Sequence, residues 1–178
     1  CECDNEGNIT NDIEAAEAKA CEEIEDAFDK HSDKIAAIVI EPMQCEGGDN
    51  HFRKEFLEKL RHYADERESL LIFDEVQTGF GRTGTRWGIE HYGVEPDMIT
   101  VAKGIANGMP LAAVVTTQEI ASTLTKNTIS TFGGSPVSCA AANATIDIIE
   151  RDNLKGNSAE MGKILRDGLE GLKEKYPK

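Results

Sequence analysis

Hydrophobic positions follow two rhythms along this chain, and the rhythms alternate. Ile13, Ala16, Ala20, Ile24 and Phe28 recur every three or four residues, the spacing of one helix face. Thr10 or Asn11 is placed to cap that helix, which runs to about Lys30 behind a loop over residues 1–11. Residues 35–40 are a continuous apolar run closed by Glu41 and Pro42, which predicts a strand buried on both faces and ended by the proline. Helical spacing returns between Phe52 and Glu68 through Phe56, Leu57, Leu60 and Tyr63. Leu70 to Phe73 is a second buried strand, closing on Asp74 and Glu75. Met98 to Val101 makes a third, and Leu111 to Val115 a fourth. Two helices end the pattern. One starts near Pro136, a favoured first-turn residue, and runs to about Arg151; the other runs from about Asn153 to Lys175.

Strands alternating with helices predict an α/β layer fold with a mostly parallel sheet and flanking helices. Such sheets present functional groups at the C-terminal ends of their strands. Three ends carry polar groups here: Glu41, the pair Asp74–Glu75, and Lys103. The chain has no internal repeat and no low-complexity segment. Its 178 residues suit about one domain, or one domain and a piece of another.

Charge narrows the partners. Nineteen Lys and Arg against 33 Asp and Glu leave a net charge of −14. A nucleic-acid binder needs a basic face, and so does electrostatic docking on an anionic membrane, so neither partner is expected. No apolar run approaches a membrane span, and no basic start followed by an apolar stretch marks a signal peptide. Most of the excess acid, −9 of the −14, lies in residues 1–30 and reads as a solvated helix face; salt adaptation is the alternative. Cys1, Cys3, Cys21, Cys45 and Cys139 are odd in number and irregular in spacing. Free thiols in a reducing cytoplasm explain them better than a zinc site, and the four His show no metal spacing. A start on Cys1 rather than on methionine suggests a fragment of a longer protein.

Four stretches carry candidate chemistry. Asp74 sits where a buried strand delivers a carboxylate to its end. It could hold magnesium, as in a nucleotide-driven ATPase, although no phosphate loop lies upstream. It could pair with a protonated ring nitrogen of a cofactor, or simply cap a turn. Gly79, Gly81 and Gly84 match the spacing of a dinucleotide loop, but five residues part them from Phe73 and no clean helix follows, so a glycine-rich loop is the better reading. Lys103 follows a strand and precedes Gly104; a lysine there must be paired or neutral, and the neutral amine is a Schiff-base nucleophile. Thr131 to Pro136 precedes a helix, where a hydroxyl and free amides can bind phosphate, or where Ser135 can act as an ordinary cap.

In order, Ile40–Asp49 (IEPMQCEGGD), Leu71–Gly84 (LIFDEVQTGFGRTG), Ala102–Gly104 (AKG) and Ser130–Pro136 (STFGGSP) resemble the class III aminotransferases of the ornithine, acetylornithine, 4-aminobutyrate and lysine-ε type. The resemblance covers roughly residues 35–178, and residues 1–34 match weakly. It implies the large domain of the aspartate-aminotransferase-like fold and the cofactor pyridoxal 5'-phosphate. It implies a Schiff base on Lys103, which also shuttles the proton, and Asp74 paired with the cationic ring nitrogen. Val76 would pack on the ring and Gln77 would bond its phenolic oxygen. Thr131 would reach the cofactor phosphate of a neighbouring subunit, which requires a homodimer. Glu46 matches the family's switch glutamate, released or paired according to the substrate, and Glu41 stands behind the site. The implied reaction moves an amino group, of the ω type, from an amino donor to a 2-oxo acid, in the cytoplasm and without a metal.

The family's glycine-serine phosphate loop, its ring-stacking aromatic residue and its switch arginine have no counterpart in this sequence. Residues 1–150 therefore read as the C-terminal half of the cofactor-binding large domain. Residues 151–178 read as the helix leading into a small domain. The chain is expected to be catalytically incomplete, with apolar sheet surfaces lacking their covers. A racemase or decarboxylase on the same scaffold is the near alternative.

Overall fold

A computed structural model describes residues 12–31 and 34–176. Helix α1 (Ile13–Lys30) leads to strand β1 (Ala37–Ile40), a small hairpin of β2 (Met43–Gln44) and β3 (Asn50–His51), helix α2 (Lys54–Glu66) and strand β4 (Leu70–Asp74). Strands β5 (Met98–Val101) and β6 (Ala113–Thr116) follow, then the short helix α3 (Gln118–Ser122) and the long helices α4 (Pro136–Arg151) and α5 (Leu154–Lys175). The four expected strands form one sheet in the order β1-β4-β5-β6. The first three are parallel and β6 is antiparallel to β5.

Residues paired across strands share a face, so the register sorts the side chains. Ile38, Ile40, Leu71, Phe73, Ile99 and Val101 lie on one face. Phe56, Leu57, Leu60 and Ala64 of α2 and Ala142 of α4 complete this core. Burying a large apolar side chain such as Leu57, Leu60 or Phe73 contributes about 1.5–3 kcal/mol each. Val39, Ile72, Asp74, Met98, Thr100 and Val114 lie on the other face. Val39 and Val114 there are 64% and 60% exposed, so the expectation of strands buried on both faces is met on one face only. Among the described residues, the helices that could cover the second face all pack on the first or stand outside it.

Asp12 caps α1 by accepting a 3.0 Å bond from the Ala15 amide; the expected caps Thr10 and Asn11 lie outside the described residues, as do Cys1 and Cys3. The acidic face of α1 is not wholly solvated. Glu17 and Glu14 pair with Arg53, Asp29 pairs with Arg67, and Glu25 accepts a 2.6 Å bond from the Tyr63 hydroxyl. That bond to Glu25 holds the phenol above the ordinary tyrosine range. Acid in the sequence therefore serves partly as glue between α1 and α2. No helix among the described residues is long and apolar enough to cross a membrane.

Candidate active site

Strands β1, β4 and β5 run in one direction and end at one edge. Ile40 pairs with Phe73 and Asp74 with Thr100, which brings Glu41, Asp74 and the stretch just beyond Val101 level with one another. The two sequence signals that lay 29 residues apart thus meet at this edge, where α/β sheets hold their ligands.

Lys103 leaves β5 through Ala102 and opens a single helical turn, Lys103–Ala106. Its φ is +42°, in the left-handed region that non-glycine residues rarely enter. Strain of this kind costs roughly 1–3 kcal/mol and collects at functional sites. The Lys103 side chain is exposed, and its Nζ donates a 2.5 Å hydrogen bond to Gln77 Oε1. Of the two conditions that its position at a strand end required, pairing is the one observed, and the partner is neutral.

Asp74 is half-buried. Its Oδ1 accepts a 2.9 Å bond from the Val76 amide, which turns the chain as it leaves β4. The turn-capping role weighed for Asp74 is therefore real. It uses one oxygen, and among the described residues Oδ2 accepts from no protein donor. Val76 and Gln77 are half-buried beside it.

Glu75 has the opposite surroundings. It is fully buried and accepts three hydrogen bonds: from Thr78 Oγ1 at 2.5 Å, from the Gly88 amide at 2.9 Å and from the Ile89 amide at 2.8 Å. A buried carboxylate is tolerable only when its lone pairs are met in this way. Glu75 thereby ties the 76–87 loop across itself and fixes where Gln77 stands. Sequence reasoning treated Asp74 and Glu75 as a pair. The contacts separate them and leave Glu75 no free oxygen face for magnesium.

The glycine-rich stretch is a packing device. A Cβ on Gly84, at φ +93°, would stand 2.9 Å from the Ala159 Cβ of α5, and one on Gly79 would stand 2.8 Å from the Glu75 carbonyl oxygen. Glycine is needed at both places because backbone approaches backbone or helix, not a ligand. Ser158 donates to the Arg82 carbonyl at 3.0 Å and Arg86 pairs with Glu150 at 2.7 Å, so the loop is fastened to α4 and α5.

The remaining predicted site residues are less enclosed. Glu41 is half-buried at the end of β1. Glu46 is exposed at the tip of the β2–β3 hairpin, whose turn is closed by amides of Gly48 and Asp49 on the Cys45 carbonyl. Thr131 is exposed in the loop before α4, beside Phe132, which is 86% exposed. Ser135 occupies the cap position of α4, but its hydroxyl makes no cap bond, which corrects the expected capping role. Among the described residues no group of three or more His, Cys, Asp or Glu could hold a metal ion. Thr100 is a position that sequence reasoning missed, and so is the buried role of Glu75. Glu75 is bonded to amides 13 and 14 residues downstream, a link with no local signature.

A mostly parallel sheet thus gathers an amine, a carboxamide and a carboxylate at one edge, and sheets of this kind are found in solved transaminases. The solved structure of a transaminase from the marine bacterium Virgibacillus superposes with a TM-score of 0.83 at 36% identity, over 93% of this chain and 38% of that one. The chain belongs to the class III aminotransferases: the family model "Aminotransferase class-III" matches residues 3–178. The match extends the likeness through α1, where sequence reasoning saw only a weak one. Acetylornithine aminotransferase of Synechocystis is 42% identical over 167 residues, 94% of this chain and 38% of that protein. Putrescine aminotransferase of Pectobacterium atrosepticum is 44% identical over 152 residues, 83% of this chain and 32% of that protein. The chain thus spans little more than a third of the curated relatives it matches. The ATPase, racemase and decarboxylase alternatives find no support in these likenesses.

Proposed function

We propose that this chain is the part of a pyridoxal-phosphate-dependent aminotransferase that carries the reacting lysine, and that the whole protein moves an ω-amino group from an amino donor to a 2-oxo acid. The observation that carries the reading is the Lys103–Gln77 contact beside Asp74, at one sheet edge, in a class III chain. The donor set fits the cofactor: a free amine, a carboxylate with one oxygen uncommitted, and a carboxamide between them. When bound, pyridoxal phosphate supplies an aldehyde that takes up amino groups and a cationic ring that draws electrons from the substrate carbon.

Lys103 Nζ would anchor the cofactor and carry the proton between substrate and cofactor carbons. Its exposed position lets it swing, while the strained turn beneath it fixes where the swing begins. Asp74 Oδ2 would accept from the protonated ring nitrogen and keep that proton in place, with Oδ1 steadied by the Val76 amide. Gln77 uses Oε1 for Lys103, which leaves its amide nitrogen as the donor that would hold the cofactor's phenolic oxygen. Val76 offers the apolar surface under the ring. Glu46, exposed at a hairpin tip, is free to pair with or release a substrate-binding arginine from elsewhere in the protein; Glu41 supports the edge from β1. Thr131 contributes its hydroxyl to the phosphate of a neighbouring subunit, so the working form is a homodimer, acting in the cytoplasm. Residues 1–150 are then the second half of the large domain, and residues 151–178, with α5, lead into a small domain. The names of the relatives point to an acetylornithine- or putrescine-like donor.

The test is borohydride reduction of the natural-length protein with pyridoxal phosphate, followed by peptide mass. A pyridoxyl group on Lys103 supports the reading. A folded protein that takes no label, or takes it on another lysine, removes it.

A further inference from the structure

Thr100 holds a buried hydroxyl that nothing in this chain satisfies. Its Oγ1 is closed off from solvent and has no hydrogen-bond partner among the described residues. A hydroxyl in that state costs about 1–3 kcal/mol, and natural structures rarely leave one without a reason. Its place is specific. Thr100 is the registered partner of Asp74 across the parallel β4–β5 ladder, so the two side chains leave the same face on strands ~4.8 Å apart. The pairing is fastened next door, where the Glu75 amide donates to the Thr100 carbonyl at 2.9 Å. Asp74 in turn has one oxygen held by Val76 and one without a protein donor. An orphan donor and an open acceptor therefore stand side by side at the candidate site.

We propose that Thr100 is a positioning residue for the Asp74 carboxylate, donating its hydroxyl hydrogen to that carboxylate when the ring of pyridoxal phosphate is in place. The inference rests on the reading of Asp74 given above. Its physical content is a second donor to the anion. Together with the Val76 amide it would orient the carboxylate and stabilise its charged form, so that the shared proton stays on the ring nitrogen rather than passing to the oxygen. A threonine suits the task because its branched Cβ fits a strand and restricts χ1 to few rotamers.

The measurement compares wild type, T100V, T100S, D74N and the T100V/D74N double variant of the natural-length protein. Three quantities are read: pyridoxal phosphate affinity of the apoprotein, the pH dependence of the visible absorbance of the loaded protein, and the thermal midpoint of the apoprotein. T100V should weaken cofactor affinity roughly tenfold, the scale of one hydrogen bond to a charged group. It should also move the pH at which the ring loses its proton downward, while leaving the apoprotein midpoint unchanged or raised. T100S, which keeps the hydroxyl, should stay within about twofold of wild type, and T100V should cause no further loss in the D74N background. Affinity and pH profile of T100V equal to wild type, with D74N impaired, would overturn the proposal alone. A loss shared by T100S would assign the effect to packing and overturn it as well. A D74N protein indistinguishable from wild type would remove the reading of Asp74 and the proposal with it.

Discussion

The strand end at Asp74–Thr78 and the segments that carry Glu46 and Thr131 belong to one candidate site, yet this chain builds them very differently. The first is finished from within: Glu75 is fully buried and triply bonded, Asp74 holds the Val76 amide, and Gln77 meets Lys103. The second consists of exposed turns whose predicted functional side chains make no hydrogen bond among the described residues. The difference teaches where each part obtains its order. Groups that must hold a reacting atom are fixed by short links inside one sheet and its loops. On the reading proposed for Glu46 and Thr131, groups that answer to a substrate or to a second subunit would take their order from surfaces outside this segment.

The sharpest way to break that comparison is Lys103→Ala. The side chain is exposed, so the unfolding free energy should move by no more than about 0.5 kcal/mol. Amino transfer by the natural-length protein should fall by roughly 10⁴-fold or more, since nucleophile and proton carrier are lost together. Intact transfer in a stopped assay with a 2-oxo acid acceptor would end the role given to this lysine. Next in size is Glu75→Gln, which sets an amide NH2 against one of the two backbone amides that the carboxylate accepts from. It should cost about 2 kcal/mol in urea unfolding, because the retained oxygen still serves one of the two amides, and weaken the cofactor only as Gln77 loses its place. A neutral result would show that the inner region is not held as described. Gly84→Ala should cost about 2 kcal/mol, because a Cβ would meet Ala159 at 2.9 Å with φ at +93°. Unchanged stability by the same unfolding measurement would mean that the loop is not docked on α5. Smallest is Thr131→Ala, expected to leave stability unchanged and to weaken cofactor binding about tenfold. Mixing Lys103→Ala and Thr131→Ala subunits should restore part of the activity, because one site of each hybrid dimer would then hold both groups. No recovery in purified hybrids would place Thr131 outside the partner's site.

The legible part of the fold was the part with a strong rhythm. All four apolar runs became strands, and α4 spans the residues that Pro136 and the spacing marked. The β2–β3 hairpin and α3 were not legible, since two-residue strands and a five-residue helix carry too few positions for a period to register. Burial was misjudged for the same strands: an apolar run shows that two faces want cover, not whether the cover lies within this segment. The placement of polar groups at the sheet edge was legible where a residue type is rare at a strand end, as with Asp74 and Lys103. It was illegible where partners come from far along the chain, as with Glu75.

The sequence alone therefore determined the alternation of strands and helices, the edge at which the chemistry collects, and the identities of the amine and carboxylate offered there. Those follow from local properties: hydrophobic period, strand length and the cost of leaving a charge at a buried strand end. Tertiary structure alone decided between adjacent carboxylates. Asp74 stays on the open face because side chains alternate along β4 and its partner Thr100 faces the same way. One residue later the chain turns inward, and amides from the Gly88–Ile89 turn close on Glu75. Two neighbouring acids of nearly equal chemistry thus take different parts, one open at the site and one locked beneath it, because strand pleat and long-range hydrogen bonding act only once the chain is folded.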